Sequence, residues 1–286
     1  MSVNAGGKPI VTDKLIHVYD PLSPVCYPSG SETFRNHFSE AHVKKLTNGY
    51  GTNTDDGSSL GFAKNGLAAY GAESDHQRQK GYFVADGSSD HWEWYTSDGT
   101  RFPVKGGGST GGGWPSAISH GGWFKFDPAN TTTRYIFGYG ATSSSYGYSY
   151  VRQASSGTLD WYVEPYSSGT TLGSSSFNIE DNTWHYIMCV IEGASSTTAD
   201  YYFYIDGGLT DTQSTTGSNL GGSSSYVGAY TSYTKYYNIG SWRSSSSSAN
   251  SSSHLGQIGP HHFYAKALSA QECQQNYYAQ IDRFNF

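Results

Sequence analysis

The stretch from His91 to Phe126, HWEWYTSDGTRFPVKGGGSTGGGWPSAISHGGWFKF, places the strongest constraint on how this chain folds. It combines four tryptophans with two runs of three glycines. A glycine inside a helix costs about 1 kcal/mol relative to alanine, so a helix does not extend through such a stretch. Aromatic segments bounded by glycine-rich turns are typical of short β-strands. The stretch therefore predicts strands joined by loops.

The rest of the chain has the same character. Of its 286 residues, 16% are aromatic and 14% are charged, and it contains 25 tyrosines and 36 glycines. Aromatic side chains suit a pleated, half-buried surface, while serine, threonine and glycine suit the connections. The aromatic content is enough to build a core, which excludes global disorder. An all-β fold with many loops is expected.

Alternation of apolar and polar residues locates individual strands. In TLDWYVEPY, Leu159, Trp161 and Val163 share one face. TWHYIMCVIEG is apolar on both faces and predicts a central strand, and Asp206-Gly207 predicts a hairpin turn. Further strands are predicted in LIHVY (15–19), GYFVADG, GGWFKFD and RYIFGYG. The spacing of these segments predicts an all-β, antiparallel β-sandwich of the jelly-roll type.

The segment LSAQECQQNYYAQIDRF predicts a short C-terminal helix. Ser269 is the expected N-cap, and Glu272 is its capping-box partner. Apolar positions then recur at helical spacing, at Cys273, Tyr277, Ile281 and Phe284. We expect this helix to pack on the edge of the sandwich.

The chain is interpreted as two parts. Residues 1–80 are predicted to be an N-terminal docking segment that is partly integrated with the sandwich through the strand near 15–19. Its residues 30–80 are expected to form loops with short strands or one short helix. Residues 81–286 are predicted to form the jelly-roll domain.

Charge and hydropathy exclude two classes of partner. The net charge is −6, and no basic cluster is longer than Lys44-Lys45, so no nucleic-acid partner is expected. The apolar runs are far shorter than the roughly 20 residues that span a bilayer, so no membrane insertion is expected. The first residues lack the apolar region of a signal peptide, which argues against ordinary secretion unless a signal was removed.

The three cysteines, Cys26, Cys189 and Cys273, are odd in number and widely spaced. This argues against a disulfide framework or a zinc site. Cys189 lies in an apolar run and is expected to be a buried hydrophobic residue. The cysteines therefore suggest folding in a reducing cytoplasm.

Several segments together resemble a known family. NTWHYIMCVIEG followed by YYFYIDGGL is similar to the "W-H … Y-x-D-G" core of laminin-G-like, concanavalin A-like jelly rolls. HLGQIGPHHFYAKALSAQE resembles the closing part of that domain, and GYFVADGSSDHWEW resembles its opening strand. The resemblance covers residues 15–36 and 80–286. The chain departs from it at Tyr19-Asp20-Pro21 and in a glycine-rich insertion near 105–113.

The leader TDKLIHVYDPLSPVCYPSGSETFRN and the tail QNYYAQIDRF resemble segments that flank such domains in bacteriophage structural proteins. This resemblance implies a virion protein, either a capsid decoration or appendage or a tail-fibre component. Assembly in the host cytoplasm and release by lysis would agree with the reduced cysteines. Other virion proteins, host surface polysaccharide and further copies of the chain are the expected partners. A free bacterial carbohydrate-binding lectin is the alternative.

Enzymatic activity is not expected. Some glycanases of this fold carry a strand motif Glu-x-Asp-x-x-Glu, and here Glu73-Ser74-Asp75 is followed by Arg78 at the third place. A glycan-cleaving tail protein is therefore the less favoured alternative. Adjacent His261 and His262 point to opposite faces of a predicted strand, so they do not chelate one metal; one is expected to be buried and the other exposed.

Family members often hold a calcium ion at the sandwich rim, and a calcium ion is an open possibility here. Carboxylate and amide oxygens are suitable ligands, and the candidates are Asn53, Asp55, Asp56, Asp181 and Asn182. Their spacing is not diagnostic, and ordinary Asx turns are the favoured explanation.

Tyrosine-rich segments are the stronger functional signal. Tyrosine offers flat, amphipathic contact area, and neighbouring serine and glycine offer adaptable hydrogen bonds to a sugar or protein. The candidate binding residues are Tyr146, Tyr148, Tyr226, Tyr230, Tyr233, Tyr236 and Trp242. The alternative is that the tyrosines are strand residues that face the core.

Overall fold

The computed structural model describes residues 9–21, 23, 26, 33–35, 61–65, 82–87, 91–96, 117–141, 148–164, 170–173, 179, 181–192, 198–216, 235–242 and 252–284. This part of the chain contains fifteen strands and one helix. The strands are β1 (Leu15–Tyr19), β2 (Thr33–Arg35), β3 (Gly61–Asn65), β4 (Phe83–Asp86), β5 (His91–Thr96), β6 (Ile118–Phe126), β7 (Arg134–Ala141), β8 (Tyr148–Gln153), β9 (Leu159–Glu164), β10 (Thr170–Gly173), β11 (Trp184–Glu192), β12 (Thr198–Ile205), β13 (Gly208–Thr216), β14 (Lys235–Ile239) and β15 (Leu255–Tyr264). The helix is α1 (Ala270–Phe284).

The strands form two sheets. The seven-stranded sheet has the order β1-β15-β6-β11-β12-β13, with β4 beside β1 on the same edge of β15. The eight-stranded sheet has the order β10-β9-β8-β7-β14-β5-β3-β2. Neighbouring strands run antiparallel in both sheets. The predicted all-β antiparallel sandwich with a C-terminal helix is confirmed.

The main hydrophobic core lies between the two sheets. Phe124 and Phe126 of β6 contribute to it from the seven-stranded sheet, and Trp161 and Val163 of β9 contribute from the other. Each pair is two residues apart because side chains on a strand alternate between faces. The strand alternation predicted for TLDWYVEPY is therefore confirmed.

A second hydrophobic cluster covers the outer face of the seven-stranded sheet. Trp123 of β6 stacks on Phe284 and Tyr277 of α1, with ring centroids 4.7 and 5.6 Å apart. The Trp123 indole also donates a hydrogen bond to Gln280 Oε1 at 2.8 Å. The expectation that the helix packs on the sandwich edge is wrong, because it covers a sheet face. The strand β11 is apolar on both faces, and its outer face needs this second layer.

The helix begins as its sequence predicts. The Glu272 carboxylate accepts a hydrogen bond from the Ser269 backbone N–H at 2.9 Å, and the Glu272 N–H donates to Ser269 Oγ at 3.3 Å. This reciprocal pair is a capping box. All three cysteines of the chain are free and buried, and the burial predicted for Cys189 is confirmed. The described helix is too short and too polar to cross a membrane, and no other described helix exists that could.

Residues 9–21 are part of the folded unit. Ile10 and Val11 are buried in the second cluster, and the Val11 N–H donates to Asn276 Oδ1 of α1 at 2.7 Å. Asp20, which follows β1, accepts two hydrogen bonds from the Arg283 guanidinium at 2.6 and 2.8 Å. The strand predicted near 15–19 is confirmed, while the docking role of residues 1–80 remains a prediction.

The hairpin between β12 and β13 turns at Asp206 and Gly207. Both residues have positive φ, 53° and 75°, as a two-residue type I′ turn requires. A Cβ on Gly207 would lie 2.9 Å from the Cα of Gln274 in α1, so this glycine also permits close contact with the helix. The predicted Asp-Gly hairpin is confirmed.

Candidate functional site

The outer face of the eight-stranded sheet is the first candidate site. In β9, Leu159, Trp161 and Val163 face the core, so Asp160 and Tyr162 lie on the opposite face. Strand β8 lies beside β9 in antiparallel register, with Tyr150 opposite Tyr162 and Arg152 opposite Asp160. The register therefore brings aromatic and charged side chains of two strands together.

Four aromatic residues, Tyr135, Tyr150, Tyr162 and Trp242, form what we call the tyrosine face. Tyr150 stacks on Tyr162 with centroids 5.0 Å apart and contacts Trp242 at 4.3 Å. Tyr135 contacts Tyr150 edge-on at 5.2 Å and Trp242 at 5.1 Å. Trp242 is 7% exposed and Tyr150 is 9% exposed, while Tyr135 and Tyr162 are partly exposed. The two buried rings thus support two rings that reach the surface.

A glycine lies beneath this cluster. Gly138 of β7 pairs with Tyr150 of β8, and a Cβ at Gly138 would lie 2.7 Å from the Tyr150 Cβ. Real Cβ atoms do not come this close, so a side chain at position 138 would displace Tyr150. Glycine in a strand interior often marks such a close approach.

An ion pair borders the tyrosine face. The Nε and Nη2 atoms of Arg152 each lie 3.1 Å from Oδ2 of Asp160. Both side chains are partly exposed, and within the described residues neither contact uses Asp160 Oδ1. Ion-pair partners next to flat aromatic rings provide fixed donors and acceptors for hydroxyl groups.

The structure places some of the predicted binding residues on this sheet. Tyr148 lies in β8 opposite Glu164, and Tyr236 lies in β14 between Gly140 and Tyr95. Trp242 belongs to the tyrosine face, but its ring is buried against Tyr135 and Tyr150. It therefore supports the partly exposed rings and offers little surface to a ligand itself. Tyr146, Tyr226, Tyr230 and Tyr233 lie outside the described residues.

Sequence reasoning missed Tyr135, Tyr162, Arg152 and Asp160 as members of the site. A signal for Tyr162 and Asp160 was present, because the alternation in TLDWYVEPY puts both on the face of the strand that points away from the core. No sequence signal pairs Arg152 with Asp160, since that contact depends on the register of β8 against β9.

A polar cluster at the start of β11 is the second candidate site. His185 Nδ1 lies 2.8 Å from Oδ2 of Asp206, and His185 Nε2 lies 3.2 Å from Oδ1 of Asp181. The Thr183 hydroxyl donates to Asp181 Oδ1 at 2.8 Å. The other Asp206 oxygen accepts the Tyr186 backbone N–H at 2.8 Å. Asp206 thereby ties the β12–β13 turn to β11.

The charges of this cluster support one another. Burial lowers the pKa of His185, but hydrogen bonds and charge from Asp206 and Asp181 outweigh it and raise the pKa above the ordinary value. Burial acts to raise the pKa of Asp181, but hydrogen bonds from Thr183 and the His185 charge outweigh it and lower the pKa. The cluster therefore favours an imidazolium held by two carboxylates.

The calcium candidates fall into two groups. Asp181 already accepts hydrogen bonds from Thr183, and Asn182 has φ 60°, which is the turn conformation that asparagine tolerates. No group of three or more His, Cys, Asp or Glu side chains within the described residues could hold a metal ion. Asn53, Asp55 and Asp56 lie outside the described residues. Calcium binding remains a prediction.

The expectation for His261 and His262 is wrong in one respect. Their side chains do lie on opposite faces of β15, but both are buried. His261 lies between the sheets, whereas His262 lies on the face covered by α1 and residues 9–21. The sequence does not reveal that the outer face is covered, and this is why exposure was expected.

A family profile described as the concanavalin A-like lectin/glucanases superfamily, laminin G type, matches residues 109–274. The match covers more than half of the chain, so the chain belongs to this superfamily. None of the curated protein sequences compared with the chain matches it.

Two solved structures with a TM-score above 0.5 show the same fold at low identity. Trypanosoma rangeli sialidase in complex with 2,3-difluorosialic acid aligns with a TM-score of 0.58 and 8% identity, covering 98% of this chain and 35% of the sialidase. The binding domain of botulinum neurotoxin serotype D aligns with a TM-score of 0.51 and 12% identity, covering 94% of this chain and 51% of that chain. A heptameric pentraxin from Limulus polyphemus aligns at 17% identity and a TM-score of 0.38, covering 56% of this chain and 68% of the pentraxin. This chain thus spans about a third of the sialidase and half of the toxin domain.

Proposed function

We propose that this chain is a non-enzymatic structural protein of a bacteriophage virion, as a capsid decoration, appendage or tail-fibre component. Its lectin-like domain adheres to host surface glycans or to a neighbouring virion protein. Membership of the lectin/glucanase superfamily supports the lectin-like role. The leader and tail, which resemble those of phage structural proteins, support the virion role.

The observation that carries the adhesive role is the tyrosine face. Partly exposed Tyr135 and Tyr162 are held by buried Tyr150 and Trp242, and the Arg152–Asp160 ion pair lies next to them. Ligand sites of this kind combine rigid aromatic surface with a few fixed polar groups. The C–H faces of a sugar ring fit the first, and its hydroxyl groups fit the second.

The same face supports a binding role without hydrolysis. Glycosidases of the common types need two carboxyl groups on either side of the bond that is cleaved. Among the side chains that the structure describes beside the tyrosine face, the carboxylate is Asp160, which is already paired with Arg152. Release of reducing sugars from host polysaccharide by the purified chain would contradict this part of the proposal.

Binding to host cells tests the adhesive role. The purified chain is applied to intact host cells and to their lipopolysaccharide, and Tyr162→Ala is compared with wild type. An aromatic stacking contact contributes about 0.5–1.5 kcal/mol, so the variant should bind about 2- to 12-fold more weakly. Tyr278→Ala is the matched control, because Tyr278 is 56% exposed on α1 on the other side of the sandwich.

Equal loss of binding in both variants would contradict a site on the tyrosine face. Absence of glycan binding together with tight binding to capsids would restrict the role to virion assembly. Electron microscopy of the particle with a labelled chain would then distinguish capsid, neck and fibre positions. A cleaved signal or a gene neighbourhood without phage genes would favour the free bacterial lectin.

A further inference from the structure

A hydrogen-bonded bridge of three side chains connects the two sheets. The Tyr237 hydroxyl lies 2.9 Å from His120 Nδ1 and 2.9 Å from His261 Nε2. Tyr237 belongs to β14 of the eight-stranded sheet, whereas His120 and His261 belong to β6 and β15 of the seven-stranded sheet. All three side chains are buried. The bridge is therefore a polar contact across the main core.

The bridge needs at least one neutral imidazole to satisfy its hydrogen bonds. A neutral imidazole has one N–H donor and one acceptor nitrogen, and a tyrosine hydroxyl both donates and accepts. The Tyr237 hydroxyl therefore donates to one ring and accepts the N–H of the other. If both rings were protonated, both nitrogens would be donors, and the hydroxyl proton would lose its acceptor.

The surroundings of the bridge are apolar. Phe137 of β7 contacts the His120 ring at 5.6 Å and the His261 ring at 5.0 Å, and Phe263 contacts them at 6.0 and 5.0 Å. A cation in such a place loses its hydration, which is costly. Within the described residues, no carboxylate contacts either imidazole.

The titratable and charged groups described on the neighbouring elements lie away from the two imidazoles or are themselves neutral aromatic groups. Strand β1 brings His17 and Tyr19 against Phe263, and His254, which precedes β15, packs against Phe124. His262 lies on the opposite face of β15, where the Asp20–Arg283 ion pair acts on it. The backbone carbonyls of Lys125 and Gln257 lie within hydrogen-bond distance of His254 Nε2. The positive charge of Arg134 acts to lower the pKa of His254 and so to keep that ring neutral.

We propose that His120 and His261, the two imidazoles of the His120–Tyr237–His261 bridge, act as an acid-sensitive lock between the sheets: the sheets stay together while both imidazoles are neutral, and proton uptake by them accompanies separation of the sheets. This inference does not depend on the proposed adhesive role. It gives the sandwich a response to acid that is located in its core, away from the tyrosine face.

Burial fixes the direction of the response. It lowers the pKa of His120 to about 3, and burial together with the neighbouring His120 and His262 lowers the pKa of His261 well below its ordinary value. An unfolded histidine titrates near 6.5, so the unfolded chain binds more protons below that pH. The stabilisation is fully present above about pH 6.5 and is lost as the pH falls. At pH 5, each such histidine raises the unfolding equilibrium constant about 30-fold.

Urea unfolding of the whole chain at pH 7 and pH 5 tests the lock. Carboxylates titrate mainly below this interval, so histidines dominate the change. His120→Gln keeps a donor and an acceptor but does not titrate. Between pH 7 and pH 5 the unfolding equilibrium constant rises by some factor in wild type, and this factor should be about 30 times smaller in His120→Gln.

Tyr237→Phe is the matched control, because it removes the bridging hydroxyl and leaves both imidazoles in place. It should weaken the fold at both pH values while keeping the wild-type dependence on pH. If His120→Gln instead keeps that full dependence, the lock is disproved.

A measurement on wild type keeps the proposal testable if His120→Gln does not fold. The imidazole C–H resonances of His120 and His261 should not shift between pH 7 and pH 5 while the native spectrum persists. Titration of either ring near pH 6.5 within an intact fold would overturn the proposal.

Discussion

His185 at the sandwich rim and the two bridge histidines in the core differ in the direction of their pKa shifts although all three are buried. His185 is 4% exposed and lies between the carboxylates of Asp206 and Asp181. His120 and His261 face a tyrosine hydroxyl and phenylalanine rings. The pKa of His185 is raised, whereas the pKa values of the other two are lowered. The neighbouring charges, and not the depth of burial, decide which form the fold selects.

Asp206→Ala should produce the largest effect on this comparison. It removes the acceptor of the Tyr186 N–H and a carboxylate from buried His185, and it puts alanine at φ 53°. We expect a loss of about 2–4 kcal/mol in the free energy of unfolding at pH 6, measured by urea denaturation.

The loss caused by Asp206→Ala should be smaller at pH 9. His185 has a raised pKa, so its stabilisation is fully present below about pH 6.5 and is lost as the pH rises through its folded-state value. Asp211→Ala is the control, because it also removes a carboxylate from β13 of the same hairpin, one that accepts a hydrogen bond from the adjacent Thr212 N–H. Equal losses for Asp206→Ala at pH 6 and pH 9 would show that the ion pair contributes nothing.

Asp206→Asn should remove the charge beside His185 more selectively than Asp206→Ala does. Asparagine tolerates the left-handed backbone and retains an oxygen for the Tyr186 N–H, so what is lost is mainly the charge beside His185. The pKa of His185 should fall, because burial then meets less opposition from neighbouring charge. The free energy of unfolding at pH 6 should decrease by about 1–2 kcal/mol. An imidazole NMR titration measures the first effect, and an unchanged His185 titration would refute it.

Asp181→Asn should have the smallest effect. The Asp181 side chain is 42% exposed, so solvent screens its interaction with His185. We expect a change within about 1 kcal/mol in the free energy of unfolding at pH 6. A loss as large as that of Asp206→Ala would mean that the two carboxylates act as one unit, and thermal unfolding of both variants side by side would show it.

Features that depend on nearby residues could be predicted from the sequence. The capping box joins Ser269 to Glu272 three residues away, and the hairpin turn needs only Asp206 and Gly207. The two-residue period placed Trp161 in the core for the same reason. These signals are local, and the fold class follows from their number and order.

The buried histidines and most of the candidate site could not be predicted. His120 and Tyr237 are 117 residues apart in sequence, and they meet because two sheets stack in one register. The tyrosine face depends on the pairing of β7, β8 and β9, which includes an irregularity between Tyr135 and Phe137. A shift of one residue would turn these side chains to the other face.

The Asp20–Arg283 ion pair joins residues 263 positions apart. Strand β1 likewise pairs with β15, which is synthesised long after it. During synthesis, the apolar side chains of β1 stay exposed to solvent until residues 255–284 have been made. Such distant pairings slow folding and expose the nascent chain to aggregation. Removal of the last turn of α1 would therefore destabilise the packing of β1 as well as that of the helix.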